Sequence, residues 1–143
     1  MIRIFRHFAI IGLLAGISVP AICGESDREY GNLGFPGTFS RQANGSFDFM
    51  MLDGSHLEMN PSGRLSIREI AHSEKARQRY DADGRVMFAS DSGGFKIYTF
   101  RYNRDGSLRS FTDPEAHVFK FIYDEGKRVK EIYFPNRVRL EFP

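Results

Sequence analysis

YDADGRV, Tyr80 to Val86, places an aromatic and an acid two residues ahead of a glycine, and the chain nearly restates it. YNRDGSL runs from Tyr102 to Leu108, YDEGKRV from Tyr123 to Val129, and MNPSGRL from Met59 to Leu65. Gly63, Gly84, Gly106 and Gly126 thus recur at roughly 21 residues, with a looser copy, QANGSF, around Gly45. Each residue type in the phrase has a local task. Tyr80, Tyr102 and Tyr123 suit the end of a pleated strand, where the ring packs and the hydroxyl stays wet. Asp81, Asn103 and Asp124 offer a side-chain oxygen to a backbone N–H two residues on, which starts a reversal. Gly63, Gly84, Gly106 and Gly126 supply the positive φ that completes it.

A second turn signal falls midway in each unit: LDGS at Leu52, SDSGG at Ser90, TDPEA at Thr112 and FPNR at Phe134. Turns therefore arrive about every ten residues, separated by aromatic and β-branched runs, which reads as successive antiparallel hairpins. The fold class expected is all-β: a meander of consecutive hairpins forming a curved, open sheet. RVRLEF alternates, with Val138, Leu140 and Phe142 on one face and Arg137, Arg139 and Glu141 on the other. FKIYTFRY and HVFKFIY carry apolar groups on both faces and predict cover on both sides, by curvature or a second layer. AHSEKARQR, Ala71 to Arg79, is read as a polar edge hairpin.

The chain of 143 residues begins with Arg3 and Arg6, an apolar run from Phe8 to Val19, and small residues at Ala21 and Gly24. That is the layout of a secretory signal peptide over 1–21, with cleavage after Cys23 as the alternative. The apolar run is shorter than the roughly 20 residues of a membrane span. Export to the periplasm or the extracellular space is the expectation. Cys23 is the only cysteine, so no intramolecular disulfide forms; lipidation of Cys23, and with it a membrane anchor, is disfavoured by the bulky Ile22 before it. Residues 22–39 read as a flexible linker or arm and 40–143 as the repeat domain. The formal charge of +2 equals the contribution of Arg3 and Arg6, leaving the exported part near neutral with interspersed charges. A nucleic-acid partner would call for a one-sided basic excess, so none is expected.

The phrase resembles the tyrosine–aspartate (YD) repeat of the RHS family, Tyr-Asp-x-x-Gly-Arg-Leu/Val. Tyr80-Asp81, Gly84, Arg85 and Val86 match it in full; the copies at Tyr102 and Tyr123 match with departures, and Met59 replaces the tyrosine in the first. The resemblance covers about Leu52 to Pro143 and implies a spiral of hairpins, which in large members encloses a toxic cargo. Four or five units are too few to close such a shell. What the resemblance implies here is a non-enzymatic binding or scaffold element, with a protein partner, self-association through open sheet edges, or a larger RHS-type assembly. Alternatives are a carbohydrate-binding module at a cell surface and a remnant of a larger toxin-related protein.

For the carbohydrate alternative, Tyr98, Tyr102, Tyr123 and Tyr133, with Lys96, Lys120 and Lys130 interleaved, would have to share a stacking face. His56, His72 and His117 fall in different repeats with no histidine two or four residues away, so no metal and no cofactor is expected. Asp48, Asp53, His56 and Glu58 put acids near a base, a pattern that scattered strand charges also produce. No catalytic constellation stands out. SDSGGFK reads as a hairpin tip, not a phosphate loop, because no helix pattern follows it.

Overall fold

The computed structural model describes residues 18–20, 28–30, 33, 35, 37–73 and 76–142. Among these residues thirteen strands follow one another: β1 (Ser18–Pro20), β2 (Arg28–Tyr30), β3 (Gly37–Arg41), β4 (Phe47–Met51), β5 (His56–Met59), β6 (Leu65–Glu69), β7 (Arg77–Tyr80), β8 (Val86–Ser90), β9 (Ile97–Tyr102), β10 (Leu108–Thr112), β11 (Val118–Tyr123), β12 (Val129–Tyr133) and β13 (Arg139–Glu141). A 3-10 turn, Pro135–Arg137, links the last two. They form a five-stranded sheet, β2-β3-β4-β5-β6, and an eight-stranded sheet, β1-β13-β12-β11-β10-β9-β8-β7. Every pairing is antiparallel except β1 with β13. The protein is all-β, built of consecutive hairpins and not closed into a barrel. Among the described residues no helix is long and apolar enough to cross a membrane.

The hairpin tips share one geometry. In the Tyr80 copy, Asp81 N donates to Arg85 O (2.8 Å) and Gly84 N to Asp81 O (3.1 Å). The Asp81 carboxylate accepts from Asp83 N and Arg85 N, both at 2.9 Å, and Gly84 sits at φ +79. This is a type I turn closed by a residue in the left-handed region. The same pair of backbone bonds recurs at Asn60, Asn103, Asp113 and Asp124. In the last of these the residue at positive φ is Lys127 (φ 60), not Gly126. The repeat is therefore in register from its tyrosine and not from its glycine. Val86, Leu108 and Val129 all stand six places after their tyrosine, and Gly126 corrects to an ordinary turn position.

The two sheets face each other across a phenylalanine core. Phe49 on β4 meets Phe111 (5.2 Å between ring centroids), Phe119 (5.8 Å) and Phe121 (5.9 Å) edge-on. Phe39 meets Phe134 at 5.2 Å and Phe47 meets Phe142 at 5.2 Å. Edge-to-face pairs add about 0.5–1.5 kcal/mol each beyond the area they bury. Hydrogen bonds also join the layers: Leu108 N donates to Gly63 O and Val129 N to Pro61 O of the β5–β6 turn, each at 2.9 Å.

One reading changes. The second layer exists, but it covers only one face of the long sheet. Tyr98, Phe100, Phe119 and Phe121 are buried, while Ile97, Val118 and Ile122 are exposed on the other face and Phe95 is exposed in the turn before β9. Within 22–39, β2 pairs with β3, and Leu33, Phe35 and Phe39 are buried. Of the leader over 1–21, only Ser18–Pro20 is described, as β1; both cleavage points and Cys23 lie outside the described residues. The Ala71–Arg79 stretch ends in β7, whose four residues are all exposed at the edge of the long sheet.

Candidate functional site

Strands β6 and β7 follow each other in the chain but belong to different sheets, and each is the last strand of its own. Where they part, a cleft of about 650 Å³ opens. Its apolar wall comes from Leu65, Ile67, Val86 and Tyr102, and its rim carries Arg64, Arg85, Lys127 and Asp105. The volume falls within the range of about 300–1,000 Å³ in which ligand clefts are usually found.

The repeat residues build this wall in a way the sequence did not suggest. Each tyrosine reaches back to the unit before it. Tyr102 Oη donates to Val86 O at 2.7 Å, and Tyr123 Oη to Leu108 O at 2.6 Å. The hydroxyls are therefore not wet, as expected, but spent on backbone carbonyls. Burial pushes Tyr102 up to about 12, with the Asp81 charge adding to the rise. Tyr123 is raised too, again chiefly by burial. Arg85 secures the same joint: its guanidinium lies 5.3 Å from the Tyr102 ring centroid, Nε is 3.3 Å from Asp81 Oδ2 and Nη2 is 2.5 Å from Asp83 Oδ2. Asp81 is held below the usual carboxylate range, first by the Arg85 backbone N–H.

Tyr80 is the exception. Its counterpart residue, Leu65, belongs to the other sheet, so no preceding carbonyl is in place. Tyr80 is 59% exposed, and its hydroxyl donates to Gln78 Oε1 at 2.8 Å. The tyrosine ladder thus starts with a rung bonded only within its own strand, on what is, among the described residues, the edge of the long sheet beside the cleft.

The four tyrosines proposed as a stacking face do not share one. Tyr98 is buried and donates to Asp53 Oδ2 at 2.8 Å. Tyr102 and Tyr123 stand on the core-facing side with their hydroxyls taken. Tyr133 lies on the opposite side, paired in register with Lys120 and Arg139 and covered by the Arg139 guanidinium at 5.8 Å. Gly63, Gly84 and Gly106 hold positive φ in their turns. Asn103 makes the same backbone bonds as Asp81 and Asp124, but its side chain donates Nδ2–H to Ser107 Oγ at 2.9 Å, and Asp105 Oδ1 accepts from Ser107 N instead.

Among the acids and histidines, the structure joins what the sequence left scattered. Asp48, His56 and Glu58 come together on β4 and β5, their ligand atoms all within 4.8 Å of one another. Asp53 is not with them; it accepts from Ser55 N and from Tyr98. His117 Nδ1 lies 2.7 Å from Asp113 Oδ2 inside its own turn, and His72 pairs loosely with Glu69 at 3.8 Å. The signal for the cluster was His56-x-Glu58, which on a strand puts both side chains on one face. No protein-family model matches this chain, and no curated protein matches it in sequence.

Proposed function

We propose that this protein is an exported binding element of the YD-repeat kind, and that it takes an extended segment of a protein partner along the β7 edge and the adjoining cleft. The observation that carries the reading is the first rung, whose hydroxyl donates within its own strand, to Gln78, and not to a carbonyl of a preceding unit. In the two later units a strand lies beside each tyrosine and offers it a carbonyl. At β7 the tyrosine, the strand edge and an apolar wall are present while the neighbouring strand is missing among the described residues. A strand added there would extend the long sheet and give its main-chain carbonyl to Tyr80, the mode of recognition known as β-augmentation.

Side-chain chemistry selects the occupant. Arg77 and Arg79 on β7, with Arg64 and Lys127 at the cleft, outnumber Asp105, while Arg85 is already neutralised by Asp81 and Asp83. Leu65, Ile67 and Val86 favour apolar groups. The partner segment therefore alternates apolar and acidic residues at the strand period of two. The same arginines discourage copies of the chain from pairing edge to edge.

Selection of displayed peptides on the purified protein tests this, with affinities then measured by fluorescence anisotropy. Selected peptides are extended, acidic and apolar in alternation, and Tyr80→Ala with Arg79→Glu weakens them at least about tenfold, a loss of about 1.4 kcal/mol. Peptides of another pattern, or binding indifferent to both substitutions, would defeat the reading.

A further inference from the structure

On the outer face of the five-stranded sheet, away from the residues that line the cleft, Asp48 of β4 stands directly across from Glu58 of β5, with His56 two residues before Glu58. We propose that Asp48, His56 and Glu58 form a binding site for a single transition-metal dication, Zn²⁺ being the best fit.

The geometry supports this in three ways. First, the three ligand atoms already lie within 4.8 Å of one another, and His56 Nε2 is 3.0 Å from Asp48 Oδ1. Zinc bonds to imidazole nitrogen and carboxylate oxygen are about 2.0–2.2 Å, so an ion between these two needs no backbone movement, and Glu58 closes by side-chain rotation. Second, two carboxylates directly opposite on neighbouring strands repel, and Asp48 is buried. A dication removes that repulsion where the present neighbours do so only in part. Gln42 Nε2 donates to Asp48 Oδ2, and Arg68 Nε reaches Glu58 Oε2 at 3.1 Å from a side chain that is 57% exposed. A surface pair of that kind contributes little and yields to an ion. Third, β6 carries a bulge opposite His56: His56 pairs with Glu69 and Leu57 with Ile67, which leaves Arg68 as the extra residue. Bulges re-aim side chains beside functional positions.

The donor set decides the metal. One imidazole with two carboxylates suits zinc, whereas calcium and magnesium prefer oxygen alone. His56 coordinates through Nε2 and keeps its proton on Nδ1. Three protein ligands leave a fourth position for water or an incoming ligand.

The test uses the full purified chain stripped with chelator and titrated with ZnCl₂ by calorimetry. One equivalent binds, and zinc at a hundredfold excess over Kd raises Tm by about 5 °C or more, while CaCl₂ and MgCl₂ do not. Co²⁺ in place of zinc gives visible absorption bands from the same site. His56→Gln and Asp48→Asn abolish the one-equivalent event. Arg68→Ala, which frees Glu58 and leaves the ligands intact, tightens it. Thermal melts of each variant in chelator confirm that it is folded. No zinc binding by the unaltered protein, zinc binding that survives His56→Gln, or indifference to Arg68→Ala would each overturn the assignment.

Discussion

Gly63 and Gly84 occupy the same place in two copies of one turn, and replacing each with alanine should have different consequences. Both hold left-handed backbone, φ +85 and φ +79. Alanine there costs about 1 kcal/mol at either site from the backbone alone. At Gly84 a Cβ would meet nothing within 4 Å. At Gly63 it would stand 2.2 Å from Tyr123 Oη and 2.7 Å from Cζ, so the ring must leave. Tyr123 then loses its bond to Leu108 O, about 1 kcal/mol, and the packing around it loosens by a similar amount. Gly63→Ala should therefore cost about 3 kcal/mol and Gly84→Ala about 1 kcal/mol. With a urea m-value of about 1.5–2 kcal/mol/M, the midpoint falls by about 1.5–2 M in the first case and by about 0.5–0.7 M in the second. A double-mutant cycle sharpens the reading: in a Tyr123→Ala background, Gly63→Ala should cost no more than Gly84→Ala. Equal midpoints for the two alanine variants, or a cycle with no coupling, would refute the inter-sheet lock.

The tyrosine ladder predicts that Tyr102→Phe lowers stability by about 1 kcal/mol while Tyr80→Phe leaves it unchanged, as read by urea denaturation. Lys127→Gly should raise stability by about 1 kcal/mol, because the non-glycine residue at φ 60 is relieved, whereas Gly126→Ala should be close to neutral. At alkaline pH, Tyr102 contributes stability that is fully present below its unfolded value of 10.0 and is lost as pH rises through about 12. Melting curves between pH 9 and 12, compared with those of Tyr102→Phe, should show a shallower alkaline decline in the variant.

The turn phrase was legible because its chemistry is local: Asp81 and Gly84 do in the structure what Asp and Gly do in any tight reversal. The hairpin order followed from spacing alone. What the sequence hid is long-range. Gly126 invited a register set by glycine, but hydrogen bonding from Asp124 places Lys127 in the left-handed slot. The tyrosine hydroxyls looked solvent-bound because their acceptors, Val86 O and Leu108 O, belong to the preceding unit and only a folded sheet brings them close. Phe95, Ile97, Val118 and Ile122 suggested cover on both faces, yet a single partner sheet can bury only one side. Phe35, in a stretch rich in glycine, gave no periodic signal, although its ring packs on Phe119 at 5.0 Å and on Phe134 at 5.7 Å. The cluster of Asp48, His56 and Glu58 needed the β4–β5 register, which sets Asp48 against Glu58. The His56-x-Glu58 spacing was its only local trace.

In the proposed mode of binding, an extended partner segment completes the sheet at β7. Amide hydrogen exchange with and without a selected acidic–apolar peptide tests it most directly. Protection should rise over Arg77–Tyr80 and along the cleft residues of β6, and Tyr80→Ala should diminish the effect. Protection confined to other strands, or unchanged exchange at β7 in a saturated complex, would contradict it.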